Sequence, residues 1–199
     1  MNSSFSEDLE KAEKEYGVGS KGEYFTIQEG DNNIRILSKA IPLAQHFLGK
    51  NVKPAVCFGA DKGCPHHGEK NSPPGLKFAT WIYDHKAKTI SLAKLPYTVM
   101  KAIAAFEKND EYKFSELPMP YNVNIKAIKA GTKEVEYNVI PARQNTPVPP
   151  AILEEYKKKT DINELIEKFK TKEAENAGAV IQTEPSSNED EINPADIPF

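Results

Sequence analysis

Two cysteines and three histidines crowd into one short stretch: His46, Cys57, Cys64, His66 and His67. The spacing His46-x10-Cys57-x6-Cys64-x2-His67 offers four nitrogen and sulfur ligands, and His66 can replace His67 as the last of them. Zinc takes tetrahedral N/S ligation, and a closed set of four suits a structural ion. The stretch is rich in Gly, Pro and Lys and poor in apolar residues. A bound ion would supply folding energy that a core otherwise gives. Competing readings are a chance cluster and a strand histidine at position 46 satisfied by hydrogen bonds. A catalytic ion is a third, and it needs an open position and a carboxylate base. Asp61 and Glu69 are the nearest acids, and a metal-dependent nuclease using His66 and His67 is the enzymatic alternative.

A second set of residues suits a polyanion. Single strands are held by stacking on aromatic rings inside a basic groove. The candidate rings are Phe47, Phe58, Trp81, Tyr83 and Tyr121. The candidate phosphate contacts are Arg35, Lys39, Lys53, Lys77, Lys94, Lys126, Lys129 and Arg143. Arg35 and Lys126 alternate with apolar neighbours and so are expected to point away from a core. Trp81 and Tyr83 share one face of a strand, opposite Phe78 and Ile82, and one of those two faces must be core.

The elements that must position these residues are mostly short strands. Residues 24–27 and 33–37 read as strands around the turn Gly30-Asp31-Asn32. Residues 78–83 and 89–93 form a hairpin, and 121–130 pairs with 133–140 across Gly131-Thr132. Residues 96–109 read as a helix opened by Pro96, with Val99, Ile103 and Phe106 at helical spacing. After the Pro-rich run 146–150, helices are expected over 151–158 and 162–172, the second capped by Asp161. Five or six strands with one inserted helix suit a small Greek-key barrel, the five-stranded OB-fold in particular. The expected organisation is an N-terminal arm (1–20), an OB-fold core (21–145) carrying the Cys/His loop (46–67), a C-terminal helical segment (146–172) and a disordered acidic tail (173–199).

Charge follows that division. The chain has 26 basic and 29 acidic residues, a net of −3. Seven acids and no Lys or Arg lie in residues 173–199, which leaves residues 1–172 at +4 and gives residues 21–145 a net of +6. A basic core can attract a polyanion while an acidic tail competes with it. Hydrophobic residues are 39% of the chain, below the usual globular share of about 45–50%, as solvated tails would make it. No apolar run reaches the ~18–20 residues of a membrane span, and the N-terminus lacks the basic and apolar regions of a secretory signal. A cytoplasmic location is expected, where a Cys57–Cys64 disulfide is disfavoured. The chain ends Asp196-Ile197-Pro198-Phe199 behind a run of acids. Ile197 and Phe199 can fill an apolar pocket while Asp196 and the terminal carboxylate pair with bases around it.

That ending resembles the C-terminal tip of bacterial single-stranded-DNA-binding proteins, which recruits replication, recombination and nuclease partners. A wider resemblance covers residues 22–172. Glu29-Gly30-Asp31-Asn32 with Ile34-Arg35-Ile36-Leu37, the Cys/His loop, the hairpin through Trp81, the helix, and Pro120-Tyr121 entering the second hairpin are similar in order to single-stranded-DNA-binding proteins of tailed bacteriophages. These include the zinc-containing helix-destabilising proteins of T-even phages, which are OB-folds with a His-Cys-Cys-Cys site. The resemblance implies that His46, Cys57 and Cys64 are the first three zinc ligands, and His67 stands where that family has its last cysteine. It implies a non-enzymatic protein that binds single-stranded DNA, largely without regard to sequence, during phage replication, recombination or repair. The net acidic residues 1–20 depart from the basic arm that supports cooperative binding in that family.

Overall fold

The computed structural model describes residues 24–49, 52–67, 73–142 and 146–178. The expected arm (1–20), Arg143 and the tip residues Asp196, Ile197, Pro198 and Phe199 lie outside the described residues. The strands are β1 (Tyr24–Phe25), β2 (Gly30–Ile36), β3 (Ile41–His46), β4 (Ala55–Val56), β5 (Gly75–Asp84), β6 (Thr89–Pro96), β7 (Val123–Ile128) and β8 (Glu136–Pro141). The helices are α1 (Tyr97–Phe106), between β6 and β7, then α2 (Pro150–Tyr156) and α3 (Ile162–Asn176). The core is therefore a β-sheet with an inserted helix and C-terminal helices. No helix among the described residues is long and apolar enough to cross a membrane.

The strands pair in the order β1-β6-β5-β2-β7-β8. β5 is long enough to serve two partners on one edge. Its first half pairs with β3 (Ala79 opposite Ile41) and its end pairs with β2 (Ile82 opposite Ile36). β4 pairs with β3, and β1 joins β6 in parallel. As paired, the path is open, with β1 and β8 at its ends.

Alternation along β5 divides the hydrophobic residues between two layers. Ile82 faces Ile34, Ile36, Val123 and Ile125, and α1 covers that layer with Val99 and Ile103. Trp81, Tyr83 and Ala79 face the other way, with Leu43, Ile90 and Leu92. Val148, Ile162 and Ile166 cover that second layer. The C-terminal helices thus share a core with the sheet. Asp161 caps α3 as its sequence position implies, accepting from the backbone N–H of Asn163 at 2.8 Å. α3 continues to Asn176, past the expected helix end at residue 172 and into the expected tail. The physical reason is Ala174, fully buried against Phe58 and Cys64, which gives the last turn an apolar seat.

Candidate metal centre and nucleic-acid interface

His46 ends β3 opposite Ala55, and Cys57 follows β4 opposite Ala44, so the pairing of those strands places the two diagonally across the ladder. The Cys57 backbone N–H donates to the Ala44 carbonyl at 2.9 Å, extending the ladder by one step. The chain then turns tightly, with the Cys64 N–H donating to the Gly59 carbonyl at 3.1 Å. Gly59 has φ +114°, a backbone conformation that residues with a Cβ rarely adopt, so the turn favours glycine at this point. Those constraints bring one ligand atom each from His46, Cys57, Cys64 and His67 within 4.8 Å of one another. Cys57 Sγ is 3.1 Å from His67 Nε2, and Cys64 Sγ is 3.7 Å from His46 Nε2. A tetrahedral ion with bonds of about 2.0–2.3 Å needs ligand separations of about 3.3–3.8 Å, so the four side chains are close enough to hold a metal ion. The group contains no carboxylate. The His66 ring lies tilted at 5.5 Å from that of His46, and His66 is not one of the four. Burial pushes the Cys57 thiol upward, opposed by a hydrogen bond from the Gly59 backbone and reinforced by Cys64 and Asp61. A cation at the cluster would reverse that.

The predicted strand-binding residues divide sharply. Trp81 and Tyr83 are buried beneath the C-terminal helices. The Trp81 indole N–H donates to the Thr160 carbonyl at 3.0 Å. Phe58 is buried against α3. Tyr121 is half-buried among Phe106, Tyr112 and Phe114, its hydroxyl donating to the Tyr112 carbonyl. Phe47 alone of the five rings is open, at 71% exposure. The expectation that Arg35 points into solvent is corrected. It does lie on the face opposite Ile34 and Ile36, but the chain entering β7 and the segment before α2 cover that face. Its guanidinium donates to Asn122 Oδ1 at 2.6 Å, to the Met119 carbonyl at 3.2 Å and to the Thr146 carbonyl at 3.0 Å.

Lys53, Lys77 and Lys94 come together. Lys77 and Lys94 occupy the Trp81 face of β5 and β6, and Phe169 of α3 packs beside Lys94. Lys53 reaches the same region from the turn before β4, and it lines a recess of about 370 Å³ with Lys94. Burial first, then the Lys53 and Lys77 ammonium groups, push the Lys94 ammonium below its ordinary value. None of the three forms an ion pair among the described residues. Lys39 lies elsewhere, on the turn between β2 and β3, and lines an apolar recess with Phe78 and Met100. Lys126 is exposed on β7, two strands from β5, and Lys129 pairs with Glu134 at 2.7 Å. Sequence reading missed Tyr24, whose ring is 59% exposed beside Lys94. Its strand is two residues long and carries no alternation to mark its face. The chain matches no protein-family model, no curated protein and no solved structure.

Proposed function

We propose that this chain is a non-enzymatic single-stranded-DNA-binding protein of the tailed-phage type, acting in replication, recombination or repair. The observation that carries the reading is the meeting of Lys53, Lys77 and Lys94, with no ion-paired carboxylate among the described residues, beside an exposed aromatic ring. Such a surface favours a flexible polyanion with unpaired bases. The pairing pattern supports an OB-fold as the finer description. β2 pairs with both β5 and β7, β5 and β6 form a hairpin, α1 separates β6 from β7, and β8 follows on β7. Zinc is the ion proposed for the two-histidine, two-cysteine cluster, in a structural role. Soft thiolates with imidazoles select it over magnesium or calcium. The carboxylate-free ligand set also weighs against the nuclease alternative. The acidic tip Asp196-Ile197-Pro198-Phe199 is proposed to dock replication and recombination partners in the host cytoplasm.

The test is fluorescence anisotropy of labelled single- and double-stranded oligonucleotides at several salt concentrations. Tighter binding of single strands, weakening steadily with salt, is expected. Equal affinity for duplex, or no salt dependence, sinks the reading and leaves a zinc-stabilised interaction adaptor whose function lies in the tip. A form truncated before residue 189 keeps three of the seven tail acids. It is expected to bind DNA more tightly at low salt and to lose host replication partners. Partners that bind it undiminished would overturn the docking role.

A further inference from the structure

Three recesses open side by side around Tyr24. The first is lined by Lys77, Lys94 and Tyr137, and the second by Lys53, Lys94, Phe169 and Lys172. The third lies against the α2–α3 corner, where Lys158, Lys159 and Phe169 line it. Tyr24 lines all three, so they adjoin at this residue and the depressed region is centred on it. The Lys94 ammonium sits 5.4 Å from the Tyr24 ring centroid and 5.3 Å from that of Phe169, held between a strand and a helix. Lys158 and Lys172 are exposed and form no ion pair among the described residues. Lys159 lies 3.7 Å from Glu155 and 5.7 Å from the Trp81 ring centroid. Glu173 is the one carboxylate among the described residues that line the three recesses.

Lysines crowded on a surface repel one another unless an anion joins them. An exposed ring among them adds a flat apolar platform. Paired bases in a duplex hide their faces, whereas a single strand presents them. We propose that the C-terminal helices build the second wall of the DNA groove: one base stacks on Tyr24 while the phosphates follow Lys94 and Lys172 towards Lys158 and Lys159. This rests on the single-strand reading above. It makes the segment after residue 146 part of the binding site, whereas the sequence placed every candidate contact within residues 21–145.

The experiment uses the full chain with labelled oligothymidylate, comparing wild type with Tyr24→Ala and with the Lys158→Ala/Lys172→Ala double variant. All three positions are exposed, so unchanged thermal melts are expected. Tyr24→Ala should weaken binding roughly ten-fold with the salt slope unchanged, because a stacking contact carries no counterion release. The double variant should lower the slope of log affinity against log salt by about 1.4, at ~0.7 per single-strand phosphate contact. Photo-crosslinking with 5-bromodeoxyuridine should place an adduct on Tyr24. Wild-type binding with both variants equal to it, and the adduct elsewhere, overturns this groove and leaves the single-strand reading standing. No binding by wild type removes both. An oligoglutamate of equal charge that binds as tightly, indifferent to Tyr24→Ala, reduces the depression to unselective anion attraction and also overturns the proposal.

Discussion

The indole N–H of Trp81 donates to the carbonyl of Thr160, tying the middle of β5 to the corner between α2 and α3 at 3.0 Å. That face of the sheet is buried from Ala79 to Tyr83 under Val148, Ile162 and Ile166, while Lys77 on the same face stays partly exposed. Trp81→Phe keeps the apolar contact and removes the donor, at an expected cost of about 1 kcal/mol in urea unfolding. Trp81 is the chain's single tryptophan. Its emission therefore reports the docking of the α2–α3 corner and should be that of a buried indole. An emission maximum of a fully solvated indole in the native protein would contradict the contact.

The metal cluster yields a separable pair of substitutions. Cys64→Ser removes a ligand that is 4% exposed and packed against Ala174 and Phe58. His66→Ala removes a ring that lies tilted against His46 but is not among the four grouped ligands. Purified protein is expected to carry one equivalent of zinc by elemental analysis. Cys64→Ser should lose it and melt at lower temperature, and a chelator should reproduce that loss in wild type. His66→Ala should keep the stoichiometry. Retention by Cys64→Ser, or loss by His66→Ala, would move the site.

The end of α3 should feel the same ion. Ala174 is fully buried on the thiol loop, so Ala174→Leu overpacks the contact and should cost about 1–3 kcal/mol. The measurement is the denaturation midpoint with and without chelator. Strain at that contact spreads to the loop, so the variant should release zinc at lower chelator concentration than wild type. An unchanged release curve would show that α3 and the cluster are independent.

How much of this was legible follows from what local pattern can encode. The helix at residues 97–106, the two hairpins and the Asp161 cap were readable because periodicity and capping are local. The ligand set was readable as types and spacing, but the separation of His67 from His66 needed the turn through Gly59. Arg35 shows the limit of alternation. The pattern tells which residues oppose the core, and it says nothing about what later folds over that opposite face. Trp81 fails for the same reason, since its cover is supplied by residues some 80 positions away. Tyr24 was invisible because its surroundings, Lys94 and Phe169, meet only in the fold.

The network around Asn122 gives a pH-dependent prediction. Asn122 Oδ1 accepts from Arg35 Nε at 2.6 Å and lies 2.9 Å from His85 Nε2, while its amide donates to the Thr146 carbonyl at 3.1 Å. With Asn122 Oδ1 an acceptor only, His85 Nε2 must carry the hydrogen. Burial, and after it the Arg35 guanidinium, hold His85 below its ordinary value, against the opposing pull of Asn122 and Asp84. The native state therefore binds this proton less readily than the unfolded chain, whose histidine titrates near ~6.5. Stability from neutral His85 is fully present above that pH. It declines as pH falls through ~6.5 and levels once the native residue titrates as well. His85→Gln supplies an uncharged donor to the same oxygen, and the other histidines are common to both proteins. The urea midpoint of wild type relative to His85→Gln should thus fall between pH 8 and pH 5.5. A difference that stays constant across that range would show that His85 is not the group held neutral by the fold.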